Sequence, residues 1–211
     1  MRTLHSGVCI AGAGPGGAAA ALKLSYLGIP CILADKARFP RDKICGDAVS
    51  GKVTTLLHRL DPQILQRFDG LTHKHTGVWG IRFIAPNGKV LDIPFGGGIM
   101  PETASSPGYV CRRLDLDNFL AEEVKRRDNI TFLEETEIHQ CEKTPEGYTL
   151  YDRSRSIAIH CKLLLMANGA HSAFSRKTAG LEKDPAHHAA AVRAYFKNVN
   201  GIREGNFIEL H

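Results

Sequence analysis

The sequence predicts an α/β fold built on a parallel sheet. Three apolar runs, each long enough for one buried strand, support this prediction: residues 6–11, 30–34 and 162–166. The first run leads into a glycine-rich turn and an Ala- and Leu-rich stretch that predicts a helix, and the second run ends at Asp35. Strand, tight turn, helix and second strand in this order are typical of a βαβ unit, whose strands are parallel.

The turn after the first strand carries glycines in the G-x-G-x-x-G spacing. Gly12 permits the tight turn, Gly14 lets the backbone approach a pyrophosphate, and Gly17 lets the helix pack close to the strand. Pro15 belongs to the same predicted loop, and the free N–H groups of the helix start favour phosphate binding. Asp35, eighteen residues after Gly17, is placed to accept hydrogen bonds from a ribose hydroxyl. Together these features predict a Rossmann-like nucleotide site.

Composition limits the other classes of function. A length of 211 residues with 43% hydrophobic and 23% charged residues fits one large or two small globular domains. The net charge of +5 comes without a long basic run, so no nucleic-acid partner is expected. Six cysteines without a C-x-x-C pair, and an isolated His73-x-His75, predict no metal site. No stretch is apolar enough to span a membrane, and the first strand leaves no room for a signal peptide, so we expect a cytoplasmic location.

A long, polar and basic connection, residues 36–51, follows the second strand. Loops of this length in a compact domain are more often functional than idle. Arg38, Arg41 and Lys43 bring positive charge to the predicted nucleotide site. A solvated basic loop with no role in binding would show the same charge. Both interpretations, a nucleotide-binding loop and a solvated loop, therefore stay open at this point.

A pattern specific to one protein family lies in the segment from Asp35 to Asp47, which reads D-K-A-R-F-P-R-D-K-I-C-G-D. It resembles the FAD-binding signature of the geranylgeranyl reductase family, which belongs to the flavoproteins built like para-hydroxybenzoate hydroxylase. The resemblance implies FAD as the bound cofactor and Cys45, near the isoalloxazine ring, as the one candidate catalytic residue. The cofactor-binding positions that it implies in this loop are Lys36, Pro40, Arg41, Lys43, Cys45, Gly46 and Asp47.

Two further segments are similar to that family. The stretch 109–124 resembles an Arg-x-x-(Phe/Leu)-Asp-x-x-Leu helix, which implies that Arg113, or else Arg112, reaches the diphosphate or ribityl chain, with Asp117 at the position of the family's Asp. The backbone of Glu137 and Ile138 is implied to contact the adenine.

The run 162–177 is similar to an Ala-Asp-Gly-x-x-Ser-x-x-Arg stretch near the flavin diphosphate. Asn168 stands where many members have Asp, so the charge is lost while one acceptor remains. Gly169 is consistent with a close backbone approach or a positive φ. Ser172 and Arg176 keep their places, and a helix is predicted from near Ser172.

The remaining pattern predicts a small crossover β-meander and a partial antiparallel β-sheet inserted into the FAD-binding domain. The predicted strands are 76–84, 90–94, 136–142, 147–152, 156–161, 188–197 and 206–211. The predicted division is 1–70 for the first part of the FAD-binding domain, 71–105 for the inserted substrate segment, 106–185 for the second part, and 186–211 for the return to the substrate sheet. Residues 95–100 are expected to form a turn.

The resemblance implies an FAD-dependent oxidoreductase that reduces C=C bonds of polyprenyl substrates, with NAD(P)H as reductant of the flavin. The partner is then a small isoprenoid or lipid molecule, reached by peripheral membrane contact; the oligomeric state is not predicted. One alternative is an FAD-dependent aromatic monooxygenase or halogenase. Another is an incomplete FAD-binding fragment, inactive alone, because the later Gly-Asp-Ala segment that completes the domain in such flavoproteins does not occur after the run 162–177.

Overall fold

The computed structural model describes residues 1–95, 106–180, 182, 184–187, 189–200 and 206–211. The chain forms two compact units: Met1–Asp42 with Leu116–Ala191, and Lys43–Asp115 with Val192–His211. These units cut the chain at positions other than the predicted division, which stays a prediction. The α/β class with a parallel sheet and an antiparallel meander is confirmed.

A six-stranded sheet forms the centre of the first unit. From edge to edge its strands are β8 (Ile130–Leu133), β2 (Cys31–Ala34), β1 (Arg2–Ala11), β11 (Ile157–Met166), β10 (Gly147–Asp152) and β9 (Ile138–Thr144). The first four are parallel, and β10 and β9 continue the sheet as an antiparallel meander. Both parallel neighbours of β1 come from later in the chain and lie on opposite sides of it, which makes its carboxyl end a topological switch point.

Helix α1 (Pro15–Tyr26) follows β1 directly. Pro15 occupies the first turn, where its fixed φ suits a helix start. The helix buries Gly17, Ala18, Ala21 and Leu22, which are spaced to lie on one face. Small residues on this face allow α1 to pack close to the sheet.

Helix α4 (Arg113–Lys125) starts in the second unit and ends in the first, and α5 (Ala173–Ala179) belongs to the first. Ser172 caps α5 by accepting a hydrogen bond from the N–H of Ser175 at 3.0 Å, in agreement with the predicted helix start. Buried Leu116, Leu120 and Val124 repeat along α4 at helical spacing. A short 3-10 turn follows at Pro185–His187.

The second unit contains two three-stranded sheets and two helices. One sheet has the order β3 (Ala48–Val49), β7 (Gly108–Cys111) and β4 (His75–Val78), and the other β12 (Phe207–Leu210), β5 (Gly80–Ile84) and β6 (Val90–Pro94). The helices are α2 (Gly51–Leu60) and α3 (Pro62–Asp69). The antiparallel β5–β6 pair lies within the predicted strands 76–84 and 90–94, and β12 joins β5 in parallel.

Four predicted strands need correction. Residues 76–84 form two strands in different sheets, because Trp79 between them bonds to Asn206 and Phe95 instead of continuing one ladder. Residues 156–161 and 162–166, predicted as separate strands, belong to the single strand β11. The segment 189–197 is not a strand: its apolar side chains are open to solvent, with Val192 97% exposed, and no strand of the described residues pairs with it. The turn predicted at 95–100 lies outside the described residues from 96 onwards.

Candidate cofactor site

Three parallel strands of the first unit end side by side. The N–H of Gly12, just after β1, donates to the carbonyl of Ala34 at the end of β2 at 2.7 Å. On the other side, the N–H of Ala167 after β11 donates to the carbonyl of Ala11 at 2.8 Å. Ligands of open parallel sheets bind at this edge, where the strand order reverses. The fold therefore places the glycine-rich turn at the expected binding edge.

The three glycines of the G-x-G-x-x-G turn have different surroundings. Gly12 has φ +103°, and a Cβ on it would lie 2.5 Å from the carbonyl oxygen of Ala167. A Cβ on Gly17 would lie 1.8 Å from the carbonyl oxygen of Gly12. Gly14 has an ordinary φ of −66°, and the nearest atom to a Cβ there is Arg41 Nη2 at 3.9 Å. Packing explains Gly12 and Gly17, whereas Gly14 faces open space that a side chain would fill.

The start of α1 faces the same turn. Gly14 is its N-cap residue, no side chain caps it, and its first turn carries no acidic residue. The first N–H groups of a helix have no partner within the helix, and they give this end a positive partial charge. The absence of a Cβ at Gly14 and the positive helix end together form a cradle suited to a pyrophosphate.

Asp35 lies at the end of β2, as predicted, and is only 8% exposed. Its Oδ2 accepts a hydrogen bond from the N–H of Ala13 at 2.7 Å, and its Oδ1 accepts one from the N–H of Ala37 at 2.9 Å. The carboxylate thus fixes the glycine-rich turn against the start of the basic loop. A carboxylate has about four acceptor positions, so capacity for a ribose hydroxyl remains, and that role stays a prediction. Lys36 beside it is exposed.

Arg41 is held next to the glycine-rich turn by a buried carboxylate. Its Nη1 donates to Oδ2 of Asp117 on α4 at 2.6 Å, and Asp117 has no exposed side-chain surface. The guanidinium also lies over the ring of Phe39, 4.9 Å from its centre. The N–H of Phe39 in turn donates to Glu134 Oε1 at 2.7 Å. These contacts fix a cation beside the open space at Gly14.

The segment predicted to contact adenine lies at the same edge. The N–H of Thr136 donates to the carbonyl of Asp35 at 2.8 Å, which brings Glu137 and Ile138 near the end of β2. Ile138 is buried and begins β9. The hydrogen bond from Arg153 lowers the pKa of Glu137, which lies in an exposed ion pair.

Asn168 and Gly169 follow β11 at this edge too. A Cβ on Gly12 would lie 2.6 Å from Cα of Asn168, so the two turns are in close contact. Asn168 Oδ1 accepts a hydrogen bond from the Ser175 hydroxyl, and Gly169 has φ +85°. The predicted positive φ at Gly169 is therefore present, while the Asn168 amide is used to hold α5.

The other predicted site residues belong to the second unit. Lys43, Cys45 and Gly46 are exposed, in a loop without regular secondary structure. Asp47 closes this loop, and its Oδ1 accepts a hydrogen bond from the backbone N–H of Arg113 at 3.3 Å. The carboxylate thus lies at the positive end of α4.

The predicted residues are thus grouped in two sets. The set in the first unit is Gly12, Gly14, Pro15, Gly17, Asp35, Lys36, Arg41, Ile138, Asn168 and Gly169; the set in the second is Lys43, Cys45, Gly46, Asp47 and Arg113. Sequence reasoning missed the Arg41–Asp117 ion pair, and it missed Arg193 and Tyr195, which bond to Asp47. The helix motif marks the position of Asp117, but no sequence signal links residues 193 and 195 to Asp47.

Most of the chain matches one known protein family. The model of the family described as "FAD binding domain" matches residues 5–208. The chain belongs to this FAD-binding family. Family membership confirms the flavoprotein part of the resemblance, and it agrees with the nucleotide cradle of the first unit.

Proteins similar to this chain include some named as reductases and one named as a monooxygenase. A menaquinone reductase from Mycobacterium tuberculosis is 30% identical over 193 residues, which cover 89% of this chain and 43% of the relative. A p-nitrophenol 4-monooxygenase from Pseudomonas putida has a similar structure, with TM-score 0.68, 16% identity, and coverage of 87% of this chain and 45% of that one. A geranylgeranyl bacteriochlorophyll reductase-like protein from Thermoplasma acidophilum also has a similar structure, with TM-score 0.64 and 21% identity. The match covers 86% of this chain and 43% of that one. The two structures show a shared fold, and the chain spans less than half the length of the curated relatives it matches.

The described residues provide neither a metal-binding cluster nor a membrane-spanning helix. No cluster of three or more His, Cys, Asp or Glu side chains in the described ranges is placed to hold a metal ion. Within the same part of the chain, no helix combines the length and the apolar character that a membrane crossing needs.

Proposed function

We propose that the first unit binds the diphosphate of FAD at the carboxyl ends of β1, β2 and β11. The open space at Gly14 carries this proposal. A pyrophosphate needs close backbone approach, N–H donors and positive charge, and the start of α1 and Arg41 provide these within the same unit. The Arg41–Asp117 pair offsets part of the guanidinium charge but fixes its position.

For the whole protein we propose an FAD-dependent oxidoreductase that reduces C=C bonds of an isoprenoid or lipid substrate. Bound FAD would supply the hydride chemistry, and the protein would supply binding, orientation and electrostatics. The Pro40-to-Asp47 loop supports the reductase branch through its resemblance, and the name of the mycobacterial relative is that of a reductase of a quinone. NAD(P)H as electron donor, Cys45 next to the flavin and peripheral contact with a membrane belong to the same proposal.

The binding proposal is tested with two matched glycine variants. Gly14→Ala adds a methyl group into the open space of the cradle, while Gly16→Ala adds one where no atom lies within 4 Å. We expect Gly14→Ala to raise the Kd for FAD at least about tenfold, or ~1.4 kcal/mol, because the methyl keeps the phosphates away from the backbone. Gly16→Ala should bind as the unchanged chain does. The measurement is quenching of flavin fluorescence, with circular dichroism as the control for folding.

Each outcome has a distinct meaning. Equal FAD affinity of both variants would contradict the proposal that the pyrophosphate binds against Gly14. No FAD binding by this chain, together with binding by the full-length protein, would support the alternative of an incomplete fragment. No binding by either would contradict the proposed function.

The reaction is tested on the full-length protein loaded with FAD. Anaerobic incubation with NAD(P)H and a polyprenyl substrate should give a product two hydrogens heavier, detected by mass spectrometry. An oxygen-dependent product that carries an added oxygen or halogen would instead support the monooxygenase or halogenase alternative. Reduction with dithionite in place of NAD(P)H separates a wrong electron donor from a wrong substrate.

A further inference from the structure

Arg193 makes three contacts with one short loop of the second unit. Its Nη1 lies 3.2 Å from the carbonyl oxygen of Lys43, 3.4 Å from that of Cys45 and 3.2 Å from Oδ1 of Asp47. The guanidinium side chain is 15% exposed although its segment has no regular secondary structure. Two carbonyls that are two residues apart converge on this nitrogen, so the loop is curved around the cation.

Tyr195 completes the arrangement. Its hydroxyl donates to Oδ2 of Asp47 at 2.7 Å, and the Arg193 guanidinium lies over its ring, 5.0 Å from the centre. Both carboxylate oxygens of Asp47 are therefore bonded to the segment 193–195. The backbone of Asp47 is fixed separately, because its carbonyl accepts a hydrogen bond from the N–H of Cys111 on β7 at 2.8 Å.

We propose that Arg193 and Tyr195 are positioning residues that hold the Lys43–Asp47 loop, and with it the Cys45 thiol, in one conformation. No strand or helix spans residues 43–47, so backbone ladders do not order this loop. Charge-assisted hydrogen bonds from an arginine are about twice as strong as neutral ones, and this guanidinium makes three contacts with the loop. We call the contacts of Arg193 and Tyr195 with the Lys43–Asp47 loop the clamp. The importance of the loop for the flavin rests on the proposed function, whereas the existence of the clamp does not.

Trypsin cleavage after Lys43 tests the clamp directly. Lys43 and Ile44 are exposed, so the rate of cleavage between them reports how often the loop leaves its held conformation. We expect Arg193→Ala to be cleaved there at least about tenfold faster, since three charge-assisted contacts are lost. Tyr195→Phe should have a smaller effect because Arg193 remains. Arg193→Lys should be intermediate, since an ammonium keeps the charge but lacks the planar fork.

Arg59→Ala is the matched control, because Arg59 is an exposed arginine of α2 in the same unit. It should leave the cleavage rate unchanged. Cleavage of Arg193→Ala at the unchanged rate would overturn the proposal. Equal acceleration at Lys43 and at sites across the whole chain would mean that Arg193→Ala unfolds. The milder Tyr195→Phe variant then decides, and an unchanged rate of cleavage after Lys43 in that variant would overturn the proposal.

The same variants are then titrated with FAD. Weaker binding by Arg193→Ala with recovery in Arg193→Lys would extend the positioning role to the cofactor. A full-length protein that binds no FAD would contradict the proposed function. The effect of Arg193→Ala on cleavage would still show whether Arg193 holds the Lys43–Asp47 loop.

Discussion

Nη1 of Arg41 lies 2.6 Å from Oδ2 of Asp117, and Nη2 of the same arginine is the nearest atom to the Cβ position of Gly14. A fully buried carboxylate on α4 thus decides where the positive charge beside the glycine-rich turn lies. The pair belongs to the fold and to the candidate site together. A change at either residue should therefore affect both stability and binding.

Arg41→Ala should destabilise the protein by about 3 kcal/mol, since it removes the ion pair between Arg41 and the fully buried Asp117 carboxylate. The lower part of the usual range is expected because the Arg41 side chain is 17% exposed. Urea unfolding followed by circular dichroism measures the change. Arg38→Ala is the control, since Arg38 is an exposed arginine of the same loop. A loss of stability as small as that of Arg38→Ala would mean that the pair does not hold the loop.

Gly17→Ala should be far more damaging than Gly16→Ala, although the two positions are adjacent. A Cβ at Gly17 would overlap the carbonyl oxygen of Gly12, a backbone atom that cannot move without displacing β1 from α1. Overpacking of this kind costs about 3 kcal/mol or more. Gly16→Ala should be neutral or stabilise the helix by up to ~1 kcal/mol. Thermal unfolding of both variants gives the comparison, and similar midpoints would contradict the close packing of α1 on β1.

Local patterns made the first unit predictable. The turn at Gly12, the helix that follows it and the position of Asp35 all follow from residues close together in sequence. The positive φ at Gly169 is one of the two backbone requirements that the local sequence predicted there. In each case the backbone requirement and the residue that satisfies it are neighbours.

The features that were missed depend on contacts between distant residues. Asp47 and Arg193, for example, are separated by 146 positions. The segment 189–197 carries an apolar alternation suitable for a strand, but a strand forms only where a neighbouring strand accepts its hydrogen bonds. The single-residue break at Trp79 has the same origin, since its partners are Phe95 and Asn206.

Cys45 should be the first thiol to react with a disulfide reagent such as Ellman's reagent under native conditions. It is exposed, whereas Cys9, Cys31, Cys111 and Cys161 are buried and Cys141 is partly buried. Thiol reactivity depends on access as well as on thiolate content. Absorbance of the released thiolate, with peptide mass spectrometry to locate the label, follows the reaction, and Cys45→Ser should remove the fast phase. A fast phase that persists in Cys45→Ser would show that another cysteine is more accessible than the structure has it.

Asp152 organises the turn between β10 and β11. Its Oδ1 accepts a hydrogen bond from the N–H of Ile157 at 2.7 Å, and its Oδ2 accepts bonds from the hydroxyls of Ser154 and Ser156. Burial alone would raise the pKa of Asp152, but these hydrogen bonds outweigh it and hold the pKa below its ordinary value. The charged form is therefore favoured in the folded protein.

A lowered pKa in the folded state stabilises the protein above the unfolded pKa of about 3.9, and this stabilisation is lost as the pH falls through the folded value. Asp152→Asn should cost about 1–2 kcal/mol near neutral pH, because its NH2 group would face donors. The difference in unfolding free energy from the unchanged protein should shrink once the pH falls below about 4. Asp128→Asn, at an exposed aspartate, is the control and should change little. Urea unfolding at several pH values gives the result, and a difference that stays constant well below the pKa of a free aspartate would mean that the Asp152 charge does not stabilise the turn.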